Sequence, residues 1–159
     1  MAAIATRLRR FRSERGAELI EMAMVTPILL LILGGIFDFG MMFRSWEVVT
    51  NAAREGARVG VLPAYTAADN VRARVEQYMQ ASGVATACAL SCTPSACSVC
   101  VQSQTLVTGA GTVTARSVTV TSVQTLPSLS VIGAFFGGSF GSVPVASTSV
   151  MRTETAAAP

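Results

Sequence analysis

From Met22 to Phe37 the chain runs for sixteen residues without a charge, and this stretch restricts the fold more than any other. A run so apolar has to lie in a core or in lipid. Asp38 interrupts it, and Phe39-Gly40-Met41-Met42-Phe43 resumes it. As a helix, the full Met22–Phe43 stretch measures roughly 33 Å, enough to cross a bilayer. Arg7, Arg9, Arg10, Arg12 and Arg15 precede it against Glu14 alone, so residues 1–16 carry +4. The rest of the chain holds seven Arg against eight acids, which is −1. The basic balance therefore belongs to the leader, and the body has no stripe suited to nucleic acid. Arginines ahead of an apolar helix place the N-terminus on the cytoplasmic side and the C-terminal part outside. Arg44 and Trp46 mark the far boundary, where a charge and an aromatic ring anchor well.

The junction Arg15-Gly16-Ala17-Glu18-Leu19-Ile20-Glu21 sits directly before the span. Three readings compete for it. A secretory signal needs a shorter apolar region and a nearby A-x-A cleavage site, which this chain lacks. The pair Arg9-Arg10 is only a weak hint of a twin-arginine signal. An uncleaved signal anchor fits the span but gives no reason for Glu21. An acid at a membrane mouth is costly, so it needs a role. A leader cut after Gly16, with Glu21 kept for assembly, accounts for both residues. Inside the span, Pro27 removes the hydrogen bond to the Ala23 carbonyl and predicts a kink. Asp38 is read as hydrated near the outer interface, with contact to a neighbouring subunit's arginine as its functional alternative.

Ser45 to Gly60 continues as helix. Ala52, Gly56 and Gly60 are spaced by four and form a small-residue face that lets another helix approach closely. Asn51, Arg54 and Arg58 lie on another side, and Glu55 can pair with Arg58. Pro63 ends this helix. Ala67–Ala81 predicts a second, amphipathic helix with Val71, Val75, Tyr78 and Met79 as its apolar side and Gly83 near its end.

Cys88, Cys92, Cys97 and Cys100 lie within thirteen residues. On an exported segment they point to disulfides, with three pairings open. A four-cysteine zinc site is the rival, but the two pairs stand too close together. A redox pair at Cys97 and Cys100 lacks the surrounding βαβ pattern. Beyond Cys100 the chain is rich in Val, Thr and Ser. Val99–Val107 and Val113–Val123 predict a hairpin through Gly109-Ala110-Gly111, and Val143–Met151 a third strand. Between them Leu126–Ser142 reads as an apolar, Gly-rich loop, tucked over the sheet or else touching membrane or partner. Thr155–Pro159 should be frayed.

The expected architecture is α+β: a basic leader over 1–16, a transmembrane helix over 17–44, periplasmic helices over 45–83 and a Cys-containing β-rich region over 84–159. The small-residue face and the short antiparallel sheet belong to the periplasmic part, whose modest core disulfides would help. The chain has no His, so it has no imidazole base and no His-ligated metal. No nucleophile–base pair, phosphate loop or carboxylate dyad is present, since Glu18 and Glu21 at a membrane mouth make a poor one. No enzymatic activity, cofactor, metal, nucleic acid or small-molecule substrate is expected.

The 15–21 junction, the apolar run with Pro27, Gly35-Ile36-Phe37-Asp38-Phe39-Gly40 and Asn51-Ala52-Ala53-Arg54-Glu55-Gly56-Ala57-Arg58 together resemble the TadE/TadG-like proteins of tight-adherence (Flp) pilus systems. The resemblance is strong over 14–62, looser over 112–154, including Met151-Arg152-Thr153-Glu154, and absent over the cysteine segment. It implies a minor pilin or pseudopilin of a bacterial inner membrane. It also implies cleavage between Gly16 and Ala17 by a prepilin peptidase, with methylation of the new amine. Glu21 would become the fifth residue of the mature chain and pair with the freed amine of Ala17 on a neighbouring subunit. Its partners would be that peptidase, other pilins and the inner-membrane assembly platform. Met22 departs from the tyrosine often found after this glutamate, and the length favours a TadE-like over a TadG-like member. An unprocessed, signal-anchored scaffold or binding module is the alternative, and a small thiol oxidoreductase a distant third.

Overall fold

The computed structural model describes residues 2–85, 87–109, 111–138 and 141–153. One helix dominates it. α1 runs from Ala2 to Gly60 with Pro27 inside it. Its middle and its last quarter face different surroundings. Over Leu19–Phe43 the large apolar side chains stand exposed, with Ile36 at 66% and Phe39 at 63%. From Val49 onward one face is fully covered, because Val49, Ala52, Ala53 and Ala57 recur at helical spacing.

A short 3-10 turn at Pro63–Tyr65 reverses the chain after Gly60. α2 (Ala68–Ala81) then returns along α1 and buries Val71, Val75 and Met79, four residues apart on one stripe. Tyr78 packs only partly against the same core. α2 ends as Gly83 adopts φ +68°, a left-handed turn that glycine takes without steric cost.

The sheet has four strands in the order β1-β2-β3-β4. These are Ala89–Leu90, Cys97–Thr108, Gly111–Thr125 and Ser142–Arg152. β2 and β3 form the expected hairpin, and β3 pairs antiparallel with β4. Val99, Val118, Val120 and Val145 point to the helices and close the core on α1 and α2. The opposite face is polar, and Thr119 and Thr148 pair their hydroxyls across it at 2.8 Å.

Two expectations need correction. The sheet is mixed, not purely antiparallel, because β1 pairs parallel to β2 through Ala89–Ser98 and Leu90–Val99. A parallel neighbour normally needs a long crossover. Here the strand is only two residues long, and disulfides hold it in place. Second, Leu126–Ser142 is not simply a loop, since Pro127–Phe136 forms a helix, α3. It packs on α1 and not over the sheet. Thr155–Pro159, expected to fray, lie outside the described residues.

Candidate processing junction and packing sites

Gly16, Ala17 and Glu21 lie in the first half of α1. Ala17 and Glu21 are exposed, and Gly16 is partly so. A Cβ built on Gly16 would meet nothing within 4 Å, so no packing demands glycine there. Glycine costs about 1 kcal/mol relative to alanine in a helix interior, so no local helix preference favours it there either. From Glu21 to Gly56 the helix rises roughly 52 Å, so the junction stands far from the folded domain.

Gly16–Gly60 is long and apolar enough to cross a membrane, and the most apolar part of it is not covered by the rest of the chain. Within it Thr26 donates its hydroxyl to the Met22 carbonyl at 2.6 Å, one turn ahead of Pro27. Near its far end Phe43 and Trp46 form a tilted ring pair with centroids 5.8 Å apart. Both rings are about half exposed. They border a shallow apolar groove completed by Met42 and by Val143, Pro144 and Val145 of β4.

Asp38 lies where the sequence suggests hydration or an arginine, but the structure gives it another partner. Its side chain is buried, at 3% exposure. Oδ2 accepts the Leu129 backbone N–H at 2.8 Å, and Oδ1 accepts that of Ser128 at 3.3 Å. These are the second and third residues of α3. A helix leaves its first N–H groups unpaired, and a side chain just before it usually caps them. Leu126 occupies that place and caps nothing with its side chain. Asp38 therefore supplies, from another helix, the anionic acceptor that the local sequence lacks. Gly34, one turn earlier, makes room for this contact. A Cβ there would lie 2.9 Å from Ser128 Cβ.

Ala52, Gly56 and Gly60 face other segments of the same chain at close range. Ala52 is fully buried. A Cβ on Gly56 would stand 2.6 Å from Val75 Cγ2 and 3.3 Å from Val118 Cγ1. One on Gly60 would stand 3.2 Å from Val71 Cγ2. α2 and the sheet thus occupy this face. Glu55 has two cationic neighbours, Arg74 at 2.8 Å and Arg58 at 3.9 Å. Arg74 reaches it from α2 with two nitrogens, which ties the two helices on their exposed side.

The cysteines form two bridges, Cys88–Cys97 and Cys92–Cys100. Cys97 and Cys100 thus belong to different bridges, contrary to a redox couple between them. Cys88 and Cys97 are buried in the core cluster, while the second bridge lies nearer the surface. No group of three or more His, Cys, Asp or Glu is placed to hold a metal among the described residues.

Sequence reasoning overlooked Arg116 altogether. From the middle of β3 its Nη1 donates to the Gly60 carbonyl at 3.0 Å and also to the Thr66 carbonyl. A cation at the C-terminus of a long helix satisfies carbonyls that have no partner in the helix and complements their partial negative charge. Arg44 similarly donates to the Ser82 carbonyl, just past α2, at 3.3 Å. The signal for Arg116 was its isolation. No other charged residue stands between Glu76 and Arg152.

Compared with known proteins, residues 16–58 match the family model TadE, described as TadE-like protein. The matched stretch begins at the junction glycine and ends two residues short of the end of α1. No curated protein and no solved structure matches the chain significantly.

Proposed function

We propose, from the TadE-like match over residues 16–58, that this chain is a minor pilin or pseudopilin of a tight-adherence (Flp) pilus assembly system. The observation that carries the reading is the content of the matched stretch. It holds Gly16, Ala17, Glu21, the exposed apolar half of α1, and the Ala52–Gly56 packing face, all on one continuous helix. In this reading residues 1–16 are a cytoplasmic leader, α1 crosses the inner membrane over 17–44, and the rest of the chain folds in the periplasm. A prepilin peptidase cuts between Gly16 and Ala17. Loss of the leader removes +4 of charge, the group that pins the helix to the cytoplasmic side. The shortened helix can then leave the bilayer for a filament.

Glu21 supplies the assembly contact. A carboxylate carried into an apolar helix bundle needs a compensating charge. The new amine of Ala17 on an adjacent subunit provides it. The partners are accordingly the peptidase, other pilins and the assembly platform, and the work is pilus biogenesis, adhesion and biofilm formation without catalysis by this chain.

The test is the intact mass and N-terminal sequence of the protein recovered from membranes of a strain with an active prepilin peptidase. A chain starting at Ala17 supports the reading. A chain that keeps its leader overturns processing and favours a signal-anchored periplasmic scaffold.

A further inference from the structure

The α3 excursion has properties that a water-facing loop does not need. Its two ends meet, because the Leu126 N–H donates to the Gly141 carbonyl at 2.8 Å. The chain thus leaves the end of the sheet and returns to the same point. Nothing between Arg116 and Arg152 is charged, so the whole excursion is neutral. Its sequence, Pro127 to Phe136, is apolar apart from two serines, and Val131 is 71% exposed.

The N–H groups at the start of α3 and the Gly133 carbonyl near its end find partners within the chain. Asp38 takes the N–H groups of Ser128 and Leu129. At the other end Gly137 turns left-handed, at φ +72°, and the Gly138 N–H reaches back to the Gly133 carbonyl at 2.8 Å. In water such groups hydrate at little cost, but in hydrocarbon each unpaired one costs several kcal/mol.

Position completes the argument. α3 begins beside Gly34 and Asp38, within the part of α1 long and apolar enough to span. If Glu21 marks one edge of a hydrocarbon layer of about 30 Å, Asp38 lies roughly 4 Å inside the other edge and Gly34 roughly 10 Å inside. Phe43 and Trp46 stand just beyond that edge, where aromatic rings collect. At about 15 Å, α3 is too short to cross. It can only enter and return.

We propose that α3 (Pro127–Phe136) is a re-entrant element that enters the membrane leaflet nearest the folded domain, with lipid acyl chains covering its free face and Asp38 as its internal cap. The proposal rests on the reading of α1 as a membrane span. The neutral sequence, the N-terminus capped by Asp38 and the level on α1 all favour lipid over a protein partner. An intramembrane carboxylate is tolerated when its partners are fixed beside it, and here two backbone N–H groups are.

The experiment uses the single tryptophan as an advantage. In a Trp46→Phe background of the full chain, one reporter is introduced at a time: Val131→Trp on α3, Ile32→Trp on α1, and Val107→Trp near the hairpin turn. Val131 and Val107 are both largely exposed, so the new rings displace little. Ala134→Trp, also on an exposed position, serves as a second α3 reporter. Each protein is reconstituted at low density in phosphatidylcholine vesicles brominated on the acyl chains. The expected result is a loss of emission at positions 131 and 134 comparable to that at 32, strongest with bromine near the headgroup end, and none at 107. Quenching at 32 with 131 and 134 behaving like 107 would overturn the proposal while leaving the span intact, whether water or a second copy covers the face. Absence of quenching at 32 as well would overturn the span and the proposal together.

Discussion

Gly56 of α1 lies so close to Val75 of α2 that a single added methyl would stand 2.6 Å from the valine Cγ2. Val75 is fully buried and β-branched, so it cannot swing aside within its own rotamer well. Gly56→Ala should therefore destabilise the folded domain by roughly 1–3 kcal/mol, the usual cost of overpacking, despite alanine's better helix propensity. Gly35→Ala, where no atom lies within 4 Å, is the control and should be neutral or mildly stabilising. Thermal unfolding of the detergent-solubilised proteins would show the difference. Equal melting temperatures for the two variants would contradict the tight contact.

Removing the carboxylate at position 38 should loosen α3 specifically. Asp38→Ala leaves two N–H groups of α3 without acceptors, and loss of a cap typically costs about 0.5–2 kcal/mol. Asp38→Asn keeps one carbonyl oxygen and should lose less. Hydrogen exchange resolved to the Ser128 and Leu129 amides is the readout. Faster exchange there, with α2 amides unchanged, is expected. Unaltered protection in Asp38→Ala would mean that the carboxylate does not hold the helix.

The two disulfides should differ in weight. Their loops are similar, closing sequence separations of 9 and 8 residues, so loop entropy alone gives each roughly 2–3 kcal/mol. The Cys88–Cys97 bridge adds buried sulfur packed in the core. Replacing Cys88 and Cys97 by Ser should thus cost more than replacing Cys92 and Cys100, because it also buries two hydroxyls in apolar surroundings. Chemical denaturation of each double variant checks the order, and peptide mapping without reduction checks the pairing. A recovered Cys97–Cys100 peptide would refute it.

Processing and assembly should separate genetically. Gly16→Leu is expected to leave the leader attached, since the cut requires a small residue, and immunoblotting would show the longer chain. Glu21→Gln is expected to be cut normally yet to lower surface piliation. A shortened Gly16→Leu protein would displace the cleavage site, and full piliation with Glu21→Gln would remove the assembly role of that carboxylate.

The local pattern of side chains was enough to predict α1 from residue 17 onward, the break at Pro63, α2 and the β2–β3 hairpin. The helices are held by hydrogen bonds between near neighbours and the hairpin grows out from one tight turn, and burial follows from a simple period, as with Val71, Val75 and Met79. Gly16 and Glu21 were singled out for the same reason, since the role proposed for them depends on adjacency to an uncharged run. α3 was not legible as a helix. Its apolar residues have no polar face to give a period, and its cap arrives from a residue 91 positions away.

The sequence by itself determined the long apolar helix, its charged leader, the second helix and the Val/Thr-rich strands, because these depend on composition and periodicity over a few turns. Only the tertiary structure decided which cysteines pair, that the first strand runs parallel, that Asp38 caps α3, and that Arg116 closes the end of α1 across 56 residues. Asp38 and Arg116 take their partners from distant segments, while the cysteines and β1 choose among several partners close in sequence. That choice depends on which segments the folded core brings together and on the cost of leaving a buried group unpaired.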